Sequence, residues 1–205
     1  MNAILSLGMG YFIGCISPSS WLSKKKHVDL TQEGTKNLGA TNTALVLGKA
    51  AGIFVLIFDI FKSFLSFKLA KLLFPSLRIA GILASIGAIL GHCFPVFMRF
   101  QGGKGLATFG GLILAYKPWM FFVIIALGIA GMFITNTGVI APMVGCFLFP
   151  VLVWFQSGDW MDLLAVLAAC ALVFAMHWSN LKRTLSKNDL VHTNEFMSKV
   201  FGDKS

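Results

Sequence analysis

Charge is scarce in this chain. Only 12% of its 205 residues are Asp, Glu, Lys or Arg. That is about half the share of a soluble domain and excludes a protein that turns most of its surface to water. The length leaves no room for a second domain of ordinary size, so residues 1–205 read as one transmembrane unit. Metal and redox signatures are missing too. The four cysteines, Cys15, Cys93, Cys146 and Cys170, lie scattered in apolar segments. No pair has CxxC spacing, so they read as small packing residues. The four histidines show no metal-ligand spacing, and no metal or cofactor is expected. No repeat or low-complexity segment is found. Nor is there a positive stretch ahead of the first apolar segment. Lys24, Lys25 and Lys26 follow it, so the segment reads as a spanning helix and not as a cleaved signal.

What is present is apolar: 57% of the residues, with a mean hydropathy of +0.80. A spanning helix needs about 20 apolar residues. Windows of that kind occur near 1–23, 49–74, 79–98, 118–135, 138–156 and 160–181, with a shorter one at 105–116. The fold class is all-α integral membrane, with about seven helices. The short window either crosses the bilayer or lines a cavity as a half-helix.

Basic residues decide between these. Seven crossings with the N-terminus outside place Lys24, Lys25, Lys26, Lys36, Lys49, Arg99, Lys104, Lys182, Arg183, Lys187, Lys199 and Lys204 inside. Only Lys68, Lys71, Arg78 and Lys117 fall outside, with Lys62 within the membrane. A re-entrant 105–116 gives an even split, so seven crossings satisfy the positive-inside rule better. The loop 24–48, the loop near 99–104 and the tail after His177 then share the cytoplasmic side. Residues 190–205 read as a loosely ordered tail.

Three segments carry chemistry. Gly34 to Asn42 packs two glycines, two hydroxyls and two amides into nine residues, ahead of a helix expected to start at about 43–49. It can bind an anion, or it is a capped turn with Thr41 or Asn42 as N-cap. Gly91 to Thr108 contains Gly102-Gly103-Lys104-Gly105, in which glycines expose backbone N–H groups and a lysine supplies charge. It is not a Walker A loop, because Gly105 stands where that loop needs Ser or Thr. No nucleotide or nucleic-acid partner is implied. In the third segment, His177, Asn180 and Arg183 recur every three residues and share roughly one helix face. Asp59 and Lys62, three apart in an apolar window, read first as a mutual ion pair facing the bundle interior.

Together these segments resemble the acyl-phosphate:glycerol-3-phosphate acyltransferase family. That family carries patterns like GSGNxGATN, GHxFPVFxxFKGGKGVAT, HRxNIxRL and a DxxKG helix. Here they read GTKNLGATN, GHCFPVFMRFQGGKGLAT and HWSNLKRTL, with Asp59 and Lys62 matching the fourth and Ser63 replacing its glycine. The resemblance implies seven helices and cytoplasmic motifs in a bacterial inner membrane. It implies acyl transfer from acyl phosphate to the 1-hydroxyl of glycerol 3-phosphate, giving lysophosphatidic acid and phosphate. Its partners are these substrates, membrane lipids and the enzyme that makes acyl phosphate. Lys104, His177 and Asn180 are the expected catalytic residues. Gly102, Gly103, Lys104, Gly105 and Thr108 are expected to hold the donor phosphate. Thr35, Lys36, Asn37, Gly39, Thr41, Asn42 and Arg183 are expected to hold the acceptor, and His92, Asp59 and Lys62 to support the site.

This chain departs from the pattern at five further places. Thr35 replaces a serine, Gln101 a lysine, and Lys36 a residue that is often glycine, and after Arg183 a Gly-x-Glu pattern gives way to Lys187-Asn188-Asp189. Leu45 replaces an arginine that would clamp a phosphate in bidentate fashion. Either Lys36 or Lys49 is expected to restore that charge. No GxSxG elbow occurs, and no aspartate stands five residues after His92 or His177, so no covalent nucleophile is expected. The alternatives are a small transporter or channel for a phosphorylated or lipid solute and a catalytically impaired paralogue.

Overall fold

A computed structural model describes residues 1–186 and 193–202. It is all helical, with six helices long and apolar enough to cross a membrane, and the chain is an integral membrane protein. The first apolar window is not one rod. It is α1 (Asn2–Gly14) followed by α2 (Pro18–Lys26). Uniform apolarity hid the break, but Ser17-Pro18 causes it. Ser17 adopts an extended conformation and its side chain accepts from the Ser20 N–H, while Pro18 has no N–H to continue the ladder.

After the loop come α3 (Ala40–Leu47) and α4 (Lys49–Leu73), folded back on each other at Gly48, whose φ is 92°. A Cβ added at Gly52 would lie 2.4 Å from the Ala44 side chain, so only glycine permits this tight hairpin. The expected helix start near 43–49 therefore moves to Ala40. Neither Thr41 nor Asn42 is the cap, since Gly39 occupies that position. Lys49 opens a new helix and is not one turn beyond Leu45 on the same one.

The next elements are α5 (Ala80–Cys93), a 3-10 turn (Val96–Met98), α6 (Leu106–Tyr116), α7 (Pro118–Thr135), α8 (Ile140–Ser157) and α9 (Trp160–Leu185). The tail forms α10 (Thr193–Phe201), correcting the expectation of a loosely ordered segment over its described part. Residues 190–192 and 203–205 of that tail lie outside the described residues. The Thr193 N–H donates to the Asn136 carbonyl at 3.3 Å, and the Asn194 N–H to Asn136 Oδ1 at 2.9 Å. Those bonds hold α10 at the end of α7.

α1 packs on α5 through matched glycine pairs, Gly10 with Gly14 and Gly87 with Gly91. A Cβ at Gly10 or Gly14 would fall 1.8 or 2.2 Å from the carbonyl oxygens of Ala84 and Ala88. At Gly87 and Gly91 it would fall 2.0 Å from those of Leu7 and Tyr11. Small residues four apart let the two backbones touch, which is how helices associate where lipid supplies no hydrophobic drive. The expected outcome for Gly91→Leu is loss of the folded monomer, read as aggregation on size exclusion in detergent. Phe12→Leu, at an exposed position on α1, is expected to leave the profile unchanged.

At the end away from the three motifs, Arg78 bridges Asp159 at 2.9 Å and Asp162 at 3.3 Å. Tyr116 donates to Asp162 at 3.1 Å. This cluster fixes the direction of α6. It leaves the motif end at Leu106 and reaches the Arg78 end at Tyr116, passing through the bundle without turning back. Its 11 residues rise only about 16 Å. The loop before it makes up the difference by folding inward. The Gly103 N–H donates to the His92 carbonyl at 3.1 Å, and a Cβ at Gly103 would lie 2.2 Å from His92 Nε2. Non-helical backbone is tolerated at depth where protein covers it.

Candidate active site

The three motifs meet at one end of the bundle. The Leu38 N–H donates to the Gly102 carbonyl at 3.3 Å, joining the first loop to the second. Lys104 Nζ donates to Asn180 Oδ1 at 2.5 Å, joining the second loop to α9. Asn42 organises the first loop from within. It is fully buried, its Oδ1 accepts from the Thr35 N–H at 2.6 Å, and its amide donates to the carbonyls of Leu30 and Asn37 at 2.8 Å each. With these bonds made, Asn42 shapes the loop and does not face ligand.

Two cavities open here. The larger, about 490 Å³, has a polar head and an apolar body. The head contains Thr35, Asn37, Gly39, Thr41, Lys104, Gly105, His177, Asn180 and Arg183, with Asp59 and His92 at its edge. The body runs between α4, α6, α7 and α8. The smaller, about 370 Å³, is bordered by Lys36, Asn37, Gln101, Gly102, Gly103 and Lys104. Asn37 and Lys104 face both.

Most of the residues expected from the sequence are therefore assembled, though Gly102, Gly103 and Lys36 border only the smaller cavity. Gly103 also spends its N–H on His92. Thr108 is fully buried without a hydrogen-bond partner and lines neither cavity. Of the two lysines proposed to replace the missing arginine, Lys36 reaches a cavity and Lys49 reaches neither. Thr193 and Phe196 of α10 also border the larger cavity. Sequence reasoning missed them, because a short polar-flanked helix leaves little signal in a hydropathy window.

Charge in the head is partly desolvated. Burial, and then the nearby Arg183 guanidinium, bring the Lys104 ammonium down to about 8. An anion between the two cations would offset both effects by stabilising the charged lysine. His177 is positioned by its Nδ1, 2.9 Å from the Val173 carbonyl. A carbonyl only accepts, so Nδ1 carries the proton and, in the neutral ring, Nε2 keeps a free lone pair.

Behind the head lies a buried cluster. Lys62 Nζ is 2.7 Å from Asp59 Oδ1, 2.9 Å from His92 Nδ1 and 3.1 Å from the Ile16 carbonyl. Three N–H donors meet three acceptors, so the ammonium is saturated. The Ile16 carbonyl lies at the break between α1 and α2, where Lys62 supplies the donor that the broken ladder lacks. Asp59 and Lys62 are the pair expected from their spacing, extended to His92 on α5.

A family model described as glycerol-3-phosphate acyltransferase matches residues 4–187. The chain belongs to the glycerol-3-phosphate acyltransferase family. The family's enzyme from Lactiplantibacillus plantarum is 35% identical over 196 residues, covering 94% of this chain and 93% of that protein. The one from Bacillus velezensis is 35% identical over 191 residues, covering 92% and 97%. Among solved structures, the chain is similar to PlsY, an integral membrane glycerol 3-phosphate acyltransferase. The glycerol 3-phosphate form of PlsY superposes with a TM-score of 0.85 at 26% identity, over 92% of this chain and 94% of that one. Its lysophosphatidic acid form gives 0.85 at 25% identity, over 96% and 99%. This glycerol-3-phosphate acyltransferase family match spans all three motifs and ends before α10.

Proposed function

We propose that this acyltransferase moves a fatty acyl group from acyl phosphate to the sn-1 hydroxyl of glycerol 3-phosphate, giving lysophosphatidic acid and inorganic phosphate. The observation that carries the reading is one cavity with a cationic head at Lys104 and Arg183 and an apolar body beneath it. A phosphate-headed, acyl-tailed donor has that shape and polarity. The substrate and product named for PlsY, glycerol 3-phosphate and lysophosphatidic acid, fit the same division.

Support for an acyl-phosphate donor comes from the cationic head, which suits a phosphate leaving group, and from a described lining without serine or cysteine, which favours direct transfer of an already activated acyl group. The acceptor hydroxyl oxygen attacks the acyl carbonyl carbon. A new ester C–O bond forms, the C–O bond of the mixed anhydride breaks, and phosphate leaves with the electron pair. His177 Nε2 takes the hydroxyl proton. Lys104, held by Asn180, steadies the charge that builds on the departing phosphate, so the rate comes from positioning and preorganised charge. Thr35, Asn37 and Arg183 orient the acceptor, with Lys36 as a point charge from the adjoining cavity. A preceding reaction must phosphorylate or phosphorolyse an acyl group to supply the donor, and its enzyme is the partner on the supply side.

Charge supports a localisation. The basic loops and tail favour the cytoplasmic face of a bacterial inner membrane, where a soluble glycerol phosphate is available. The test is turnover by purified protein in lipid with palmitoyl phosphate and glycerol 3-phosphate. Lysophosphatidic acid and phosphate are expected in equal amounts, and none with palmitoyl-CoA. No product across a wide range of acceptor concentrations overturns the proposal.

A further inference from the structure

The last helix forms part of the wall of the larger cavity. Along α10, Thr193, Phe196 and Val200 are buried or partly buried, whereas Glu195, Met197 and Ser198 are exposed. Positions 193, 196 and 200 share one helix face, so α10 lies on the bundle along a single stripe. Two residues of that stripe, Thr193 and Phe196, border the cavity. Thr193 is only 3% exposed, so the start of the helix is seated in the wall and does not merely graze it.

The stripe is fixed from both sides. The Thr193 and Asn194 N–H groups donate to Asn136, which ends α7 in the left-handed region with φ 53°. α10 also packs on α3, whose first turn brings Ala40 and Thr41 to the same cavity. The helix therefore bridges α3 and α7. It does so at the polar end. Next to Asn136, Thr137 Oγ1 lies 3.3 Å from Thr184 Oγ1, and Thr184 directly follows Arg183 of the head.

Shielding this end matters for a chemical reason. A mixed anhydride reacts with any hydroxyl that a base can deprotonate, and His177 Nε2 is such a base. In the acceptor's place, a water oxygen attacks the acyl carbonyl carbon. The C–O bond of the anhydride breaks, phosphate leaves with the electron pair, and Nε2 takes a water proton. The products are a fatty acid and phosphate, and the activated acyl group is wasted.

We propose that α10 screens the polar head from water, and that Phe196 thereby makes glycerol 3-phosphate and not water the acyl acceptor. The inference rests on the acyltransferase reading above and deepens it by naming a residue that sets acceptor specificity. Covering elements protect reactive groups from hydrolysis in this way.

The experiment uses the full chain in lipid with palmitoyl phosphate and glycerol 3-phosphate, and follows palmitate and lysophosphatidic acid separately. Phe196→Ala should raise the ratio of palmitate to lysophosphatidic acid about tenfold at fixed acceptor concentration. Asn136→Gly keeps the left-handed turn but removes the Oδ1 that holds Asn194, and should shift the ratio the same way by less. Met197→Ala, on the exposed side of α10, should leave it unchanged. General damage lowers both products together, so a rise in palmitate with transfer retained is the signature. If Phe196→Ala does not fold, Asn136→Gly alone decides. An unchanged ratio in the active variants, or extra palmitate that survives the addition of Lys104→Ala, overturns the screen. Wild-type transfer with an unchanged ratio in the variants removes the screen alone. Wild-type protein that forms neither product removes the acyltransferase reading itself, and the inference falls with it.

Discussion

Lys104→Ala lowers kcat by about a thousandfold while the protein still inserts and folds. Removing one preorganised donor from a transition-state anion costs about a hundred- to a thousandfold, and here the donor is also a full charge. The ammonium is held by Asn180 at 2.5 Å, so it is positioned before substrate arrives. The loss should appear in kcat more than in KM, because the charge on the leaving phosphate grows as the anhydride bond breaks. The pH profile gives a second readout. Burial and Arg183 bring the Lys104 ammonium down to about 8. Below that pH the group is a cation, and above it neutral. kcat/KM, which reports the free enzyme, should therefore fall on the alkaline side with an apparent pKa near 8. Lys104→Arg should move that limb out of the accessible range. Full activity of the alanine variant, or an alkaline limb unchanged by the arginine, removes Lys104 from the mechanism.

Lys62→Met has the largest expected effect on stability. The side chain is 2% exposed, and its three N–H groups serve Asp59, His92 and the Ile16 carbonyl. Methionine keeps the volume and discards every donor. The carboxylate of Asp59, 3% exposed, loses its ammonium and keeps only His92 Nδ1 at 3.3 Å, and breaking such a pair from one side costs about 3–5 kcal/mol. The measurement is thermal unfolding of substrate-free protein in detergent, which a purely catalytic role would not move. Adding Asp59→Asn to Lys62→Met should recover part of the loss, since removing both charges is far cheaper than removing one. Recovery stays incomplete because the Ile16 carbonyl still lacks the donor that Lys62 supplied. An unfolding midpoint for Lys62→Met equal to the wild type contradicts the account.

The helices were legible because lipid imposes a simple rule: about 20 apolar residues per crossing. The windows at 49–74, 105–116 and 118–135 match α4, α6 and α7 nearly to the residue. The three motifs were legible as one group because their polar and basic residues fall in segments that the charge pattern places on the same side of the membrane. What escaped was set by backbone geometry. The break before Pro18 interrupts no apolar run, and only Ser17-Pro18 marks it. The sequence does not say which helices Gly10, Gly14, Gly87 and Gly91 would bring together. Asn42 was read as a cap or a ligand because the sequence does not say that Leu30, Thr35 and Asn37 would occupy its amide. Thr108 was read with the phosphate loop because it follows the glycines closely. Helix rotation carries it to the far side of α6.

The glycine seam between α1 and α5 has a consequence for biosynthesis. α1 is made before α5, yet the surface that fits it belongs to α5, some seventy residues later in the chain. Until α5 is translated, α1 presents a bare groove to lipid and has no final partner. Helix insertion and helix pairing are thus separated in time, and α1 must be retained beside the growing chain, by the insertion machinery or by the α2–α4 segment, until the ribosome has released the helix that closes the seam.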